Sequence, residues 1–154
     1  MKLQIRKLLP QLAAPLAVGG LAALLTKDSM DLFDELIKPP LTPPAWVFPV
    51  VWTVLYLMMG FAAYFAVISP QTPARALPLY AAQLFFNFCW SLLFFNFRAF
   101  LFSFVWLVIL WVLILFTLLA FRRGSKTAGR LLVPYLVWVT LAGYLNLAIF
   151  ILNR

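Results

Sequence analysis

What most constrains this chain is where its charges do not occur. The twelve basic and four acidic residues lie at the ends or in short connections, and five apolar runs separate them. The runs cover about residues 8–25, 46–68, 79–97, 99–121 and 131–152 of 154. Each is close to the ~20 residues that a helix needs to cross hydrocarbon. Together they leave no stretch for a water-soluble domain. With 66% apolar and 10% charged residues, the chain also lacks the charge to cover a soluble surface. In hydrocarbon the backbone must satisfy its own hydrogen bonds, which favours helices. The expected fold class is therefore all-α: an integral membrane bundle of five transmembrane helices, one domain over 1–154. The start, MKLQIRKLL, has the positive region of a signal peptide. No small-x-small site follows before the first loop, so it reads as a retained first span.

The formal charge of +8 does not predict nucleic acid as a partner, because the cations sit between spans and form no single surface. The expected partner is the lipid bilayer. With the N-terminus inside, the inner side holds Lys2, Arg6, Lys7, Arg75, Arg122, Arg123, Lys126 and Arg130. The outer side holds Lys27, Lys38, Arg98 and Arg154. Eight against four predicts N-terminus in and C-terminus out. There is no histidine, and the single Cys89 lies inside an apolar run. No metal site, hydrolytic acid–base pair or intrachain disulfide is expected. The spans also lack the buried carboxylate that a proton-driven transporter uses.

The longest polar connection, Thr26 to Pro44, holds all four acids: Asp28, Asp31, Asp34 and Glu35. Ser29 or Asp28 is placed to cap a short helix through Leu36, with Leu32, Phe33 and Leu36 facing inward. A loop with apolar anchors of its own reads as a partly helical lid. It ends in a collar stiffened by Pro39, Pro40, Pro43 and Pro44, which no helix can cross. Trp46 follows at the depth an indole prefers, then Trp52, Tyr56 and Gly60 at helical spacing. That pattern fits either an interfacial aromatic belt or the rim and wall of a cavity. In the first run, Pro15 is interior and should bend the helix. Its pairs Ala13/Ala17 and Gly19/Ala23 suit close helix contact, either within the chain or between two chains.

On the third run Gln83, Asn87, Trp90, Ser91 and Phe94 share a face. On the fifth, Tyr135, Trp138, Ala142 and Asn146 recur at three to four. Amides in hydrocarbon must find partners, so Gln83, Asn87 and Asn146 are expected inside the bundle. They serve either as glue between helices or as the few polar contacts of an aromatic pocket. Such a pocket suits a flat, mostly apolar ligand.

Three ordered motifs carry a resemblance: Trp-x5-Trp at Trp46 and Trp52, Asn-x2-Trp-Ser at Asn87 to Ser91, and Pro-Tyr-x2-Trp at Pro134 to Trp138. With KPPLTPPAWVF, QLFFNFCWSLLFF and AGRLLVPYLVWVTLAGYLNLAIF around them, the chain resembles the translocator protein / tryptophan-rich sensory protein (TspO/MBR) family from Lys38 onward. The resemblance implies a five-helix bundle, a homodimer, and a first loop closing over the pocket. It also implies a membrane receptor or sensor that binds porphyrins such as protoporphyrin IX, linked to tetrapyrrole or stress regulation in a bacterial cell membrane. No resident cofactor is required. Light-dependent porphyrin degradation and porphyrin transport are the alternative activities. Carried over, the pocket takes Trp52, Asn87, Trp90, Trp138, Ala142 and Leu145, with Trp46, Phe48 and Phe102 at its rim. Trp52 and Trp138 take the photochemical role. Leu41 stands where the family has a tryptophan, and Pro49 lies one place early. The sterol motif needs a basic residue soon after Tyr144, and none comes until Arg154. The resemblance therefore does not extend to a sterol through that motif.

Overall fold

The computed structural model describes residues 3–154; Lys2, counted above among the inner cations, lies outside them. Helix α1 spans Ile5–Thr26, runs through Pro10 and Pro15, and passes by one 3-10 turn (Lys27–Ser29) into the short α2, Met30–Asp34. Helices α3 (Val47–Ile68), α4 (Ala76–Ser91) and α5 (Phe100–Gly124) follow. Short α6 (Lys126–Leu131) leads into α7 (Val133–Leu152). Five of these segments are long and apolar enough to cross a membrane. Among the described residues there is no strand. Helices α1, α3, α5 and α7 start and end within about three residues of the expected runs, whereas α4 ends at Ser91, six residues short of its run.

The helices form a ring in which α1 packs along α3 and also meets α4. Then α4 packs on α5, α5 on α7, and α6 closes back on α3. Helices α3 and α4 are joined by a short turn but contact each other little along their backbones. They face one another across the bundle centre and meet there through side chains. The site lies in that space.

Close approach of α1 to α3 depends on two glycines. A Cβ at Gly60 would stand 2.8 Å from the Gln11 carbonyl oxygen and 2.9 Å from the Leu12 Cα, both fixed backbone atoms. A Cβ at Gly19 would overlap the ring of Tyr56. Gly19 is thus spent on packing within the chain, whereas Ala13, Ala17, Gly20 and Ala23 stay exposed.

Three features of the lid end depart from the reading of the sequence. No side chain caps α2; the Ser29 hydroxyl instead donates to Asn96 Oδ1 at 2.7 Å, across to the far end of α4. Leu32 is exposed rather than inward, because a helix of five residues presents only one turn to the bundle and Phe33 takes it. After α4 the backbone widens into a π-helical turn, Leu92–Asn96, and then reverses through Arg98, whose φ of 51° is left-handed. A single-turn π segment of this kind often marks a functional site.

Candidate functional site

At the centre, residues from α3, α4 and α7 converge on a chain of hydrogen bonds. The Tyr56 hydroxyl donates to Asn87 Oδ1 at 2.7 Å, and Asn87 Nδ2 donates to the Tyr135 oxygen at 2.8 Å. The Tyr135 hydroxyl in turn donates to Gln83 Oε1 at 2.8 Å. All four side chains are buried. Each helix supplies its members from one face, so the periodicity that lined up Gln83 with Asn87 places both inward. Nearer the lid a second amide does the same work. Asn146 Oδ1 accepts from Trp90 Nε1 and Ser103 Oγ, each at 3.0 Å, and its Nδ2 donates to the Phe100 carbonyl at 2.7 Å. Among the described residues two buried groups find no partner: Gln83 Nε2 and the Tyr80 hydroxyl.

Aromatic rings lie over this polar core. Trp52 stacks on Tyr56 at 5.5 Å and meets Tyr135 edge-on at 6.2 Å and Trp90 at 6.5 Å. Trp90 stacks on Phe94 at 5.5 Å. Above them sits Phe33 of α2, its ring about 6 Å from those of Phe48, Phe94 and Phe95. These separations are those of favourable ring pairs. Phe33 is thus a plug at the mouth of the bundle. The crevice beside it, bordered by Ser29, Leu36, Phe95 and Arg98, is too narrow for a water molecule.

The lid is fastened at its rim by backbone contacts. Asn153 pairs with Ile37 twice, accepting from its N–H at 2.9 Å and donating to its carbonyl at 2.8 Å. Arg98 donates to the Leu32 carbonyl at 3.1 Å, and the Tyr144 hydroxyl to the Pro40 carbonyl at 3.0 Å. Leu41, just past that contact, takes a left-handed φ of 69° with its side chain exposed. No aromatic contact from position 41 holds the lid down.

The structure brings Trp52, Asn87 and Trp90 together at the centre. Phe48 and Trp138 form a second ring pair at 5.8 Å, attached to the first through Phe33. Leu145 is buried, and Ala142 packs half-buried against the core. Two expected rim residues are not brought in. Trp46 is 68% exposed, and Phe102 is 55% exposed and lies against Trp106 on the outside of α5. Trp138 also borders an apolar cleft of about 510 Å3 between α3 and α7, with Val51, Leu55, Val137 and Leu141. The resemblance does not assign Tyr56, Tyr135, Ser103 or Phe33 to the pocket, yet they meet the residues that it does assign. Their sequence signal was present for the two tyrosines, which share helical faces with Trp52 and Trp138.

These features define a class: a multi-pass integral membrane protein whose first loop closes over a hydrogen-bonded aromatic centre. The chain belongs to the TspO/MBR family, whose model matches residues 11–152. It is 41% identical over 142 residues to the tryptophan-rich protein TspO of Chlorobaculum tepidum, covering 90% of each chain. It is 39% identical to the tryptophan-rich sensory protein of Cereibacter sphaeroides, over 92% of this chain and 88% of the relative. To the translocator protein of Ovis aries it is 36% identical, over 74% of this chain and 70% of the relative.

Proposed function

We propose that the protein is a membrane receptor or sensor that binds a porphyrin-like tetrapyrrole between α3, α4 and α7, beneath the lid. The observation that carries this reading is the convergence of Trp52, Tyr56, Trp90 and Tyr135 on buried Asn87 under a loop held by a few exposed hydrogen bonds. Flat faces suit a flat ligand, and a few amides fix its orientation. Gln83 Nε2 is a donor left over for it. The Cereibacter relative is called a sensory protein, which agrees with a sensing role. Phe33 packs on Phe48, Phe94 and Phe95 and Trp52 on Tyr56, so binding requires Phe33 to withdraw and the indoles to turn. An apolar ligand has a second approach from the bilayer, through the cleft beside Trp138. The proposal includes a bacterial cell membrane, N-terminus inside, and a homodimer through the exposed small face of α1 at Ala13, Ala17 and Gly20.

The test is a titration of the purified protein with protoporphyrin IX, following tryptophan fluorescence, with haem and a sterol alongside. Saturable quenching is expected with both porphyrins, since the indoles would touch the ring. Trp138→Phe should weaken it without unfolding the protein. No saturable quenching at micromolar ligand removes the proposal.

One observation favours a second reading, light-dependent breakdown of the bound porphyrin. Trp52 is in contact with a further indole and two phenols, so a ligand excited beside it meets a set of oxidisable rings. Illumination of the complex in air should then bleach the porphyrin faster than in Trp52→Phe.

A further inference from the structure

At the end of the bundle opposite the lid, a cleft of about 340 Å3 lies between the start of α4 and the last turns of α5. Phe116, Leu119, Ala120 and Arg123 line one wall at i, i+3, i+4 and i+7, a single face of α5. Leu79 and Arg75 line the other. Arg75 immediately precedes α4 and Arg123 is in the last turn of α5, so both exposed arginines stand where the apolar helices end. Phe116 and Leu119 are about half exposed.

Among the described residues neither arginine has a counter-ion. Among the described residues the one ion pair is Lys38–Asp34, and all four acids lie between Asp28 and Glu35 at the lid end. Helix α5 alone, at 25 residues, puts about 37 Å between the two ends, several times the ~10 Å over which charges act through salt solution. Arg122, Lys126 and Arg130 add to the unbalanced charge on the other side of α5.

We propose that this cleft holds an anionic phospholipid, its phosphate between Arg75 and Arg123 and an acyl chain along Leu79, Phe116 and Leu119. The walls are apolar and two exposed arginines border them, which calls for one amphipathic occupant. A free phosphate would pair the arginines and leave the apolar walls unused, and a neutral lipid would cover the walls and leave the arginines unpaired. Guanidinium groups take phosphate oxygens in paired hydrogen bonds, and basic pockets between helices at a membrane face suit such headgroups. Cations that only orient the chain need no cleft.

The test is retention of lipid by the full chain purified in neutral detergent with equimolar phosphatidylglycerol and phosphatidylcholine, read by native mass spectrometry. The expected result is preferential retention of phosphatidylglycerol. Each of Arg75→Gln and Arg123→Gln should lower the preference about fivefold, while Lys27→Gln and Arg154→Gln at the lid end should leave it unchanged. Inorganic phosphate should not displace the lipid. Equal retention of the two lipids by the unaltered protein overturns the proposal even if a variant fails to fold. A preference that survives both arginine substitutions, or one abolished by inorganic phosphate, overturns it too.

Discussion

Replacing Asn87 with alanine should destabilise the bundle, and the loss should be partly reversed by removing the Tyr56 hydroxyl as well. The amide makes two bonds between helices, one to α3 and one to α7. Interhelical bonds in membranes average about 0.6 kcal/mol each, so their direct loss amounts to about 1 kcal/mol. The group left without a partner costs more. Tyr135 keeps its acceptor on Gln83, but the buried Tyr56 hydroxyl loses the acceptor that Asn87 provides, at about 1–3 kcal/mol. Asn87→Ala is therefore expected to cost about 2–4 kcal/mol before any packing loss. In Asn87→Ala/Tyr56→Phe the orphaned donor is gone, and the double variant should recover at least about 1 kcal/mol. Packing lost at position 87 is common to both variants and cancels in the comparison. The assay is reversible unfolding in mixed detergent micelles, with helix content as the signal. If the double variant is less stable than Asn87→Ala, by as much as Tyr56→Phe costs alone, the hydroxyl was never held by the amide and the reasoning fails.

Other consequences are as direct. Gly60→Ala should cost about 1–3 kcal/mol in the same unfolding assay, because the new methyl meets the backbone of α1. Asn153→Ala removes both bonds to Ile37 and should speed amide exchange and proteolysis across residues 27–44 while leaving exchange within α5 unchanged. Phe33→Ala withdraws the plug. It should raise the association rate of protoporphyrin IX in stopped-flow quenching, and an unchanged rate would mean that ligands do not pass the lid.

The sequence by itself determined the class of fold, since exclusion of charge from about twenty residues at a time leaves a chain no medium but lipid. It also determined that Gln83, Asn87 and Asn146 face inward, because an amide in hydrocarbon is too costly without a partner. Helical periodicity says which residues share a face, but not what lies opposite that face. For that reason only the tertiary structure decided that Asn87 joins two tyrosines, that Asn146 receives Trp90, and that Gly19 is spent against Tyr56. The same limit explains Phe102, whose face of α5 turns outward although its neighbour Ser103 is fully buried. The lid was the least legible part. Its conformation is set by partners up to 116 positions away, such as Asn153 for Ile37, and no local pattern encodes contacts at that range.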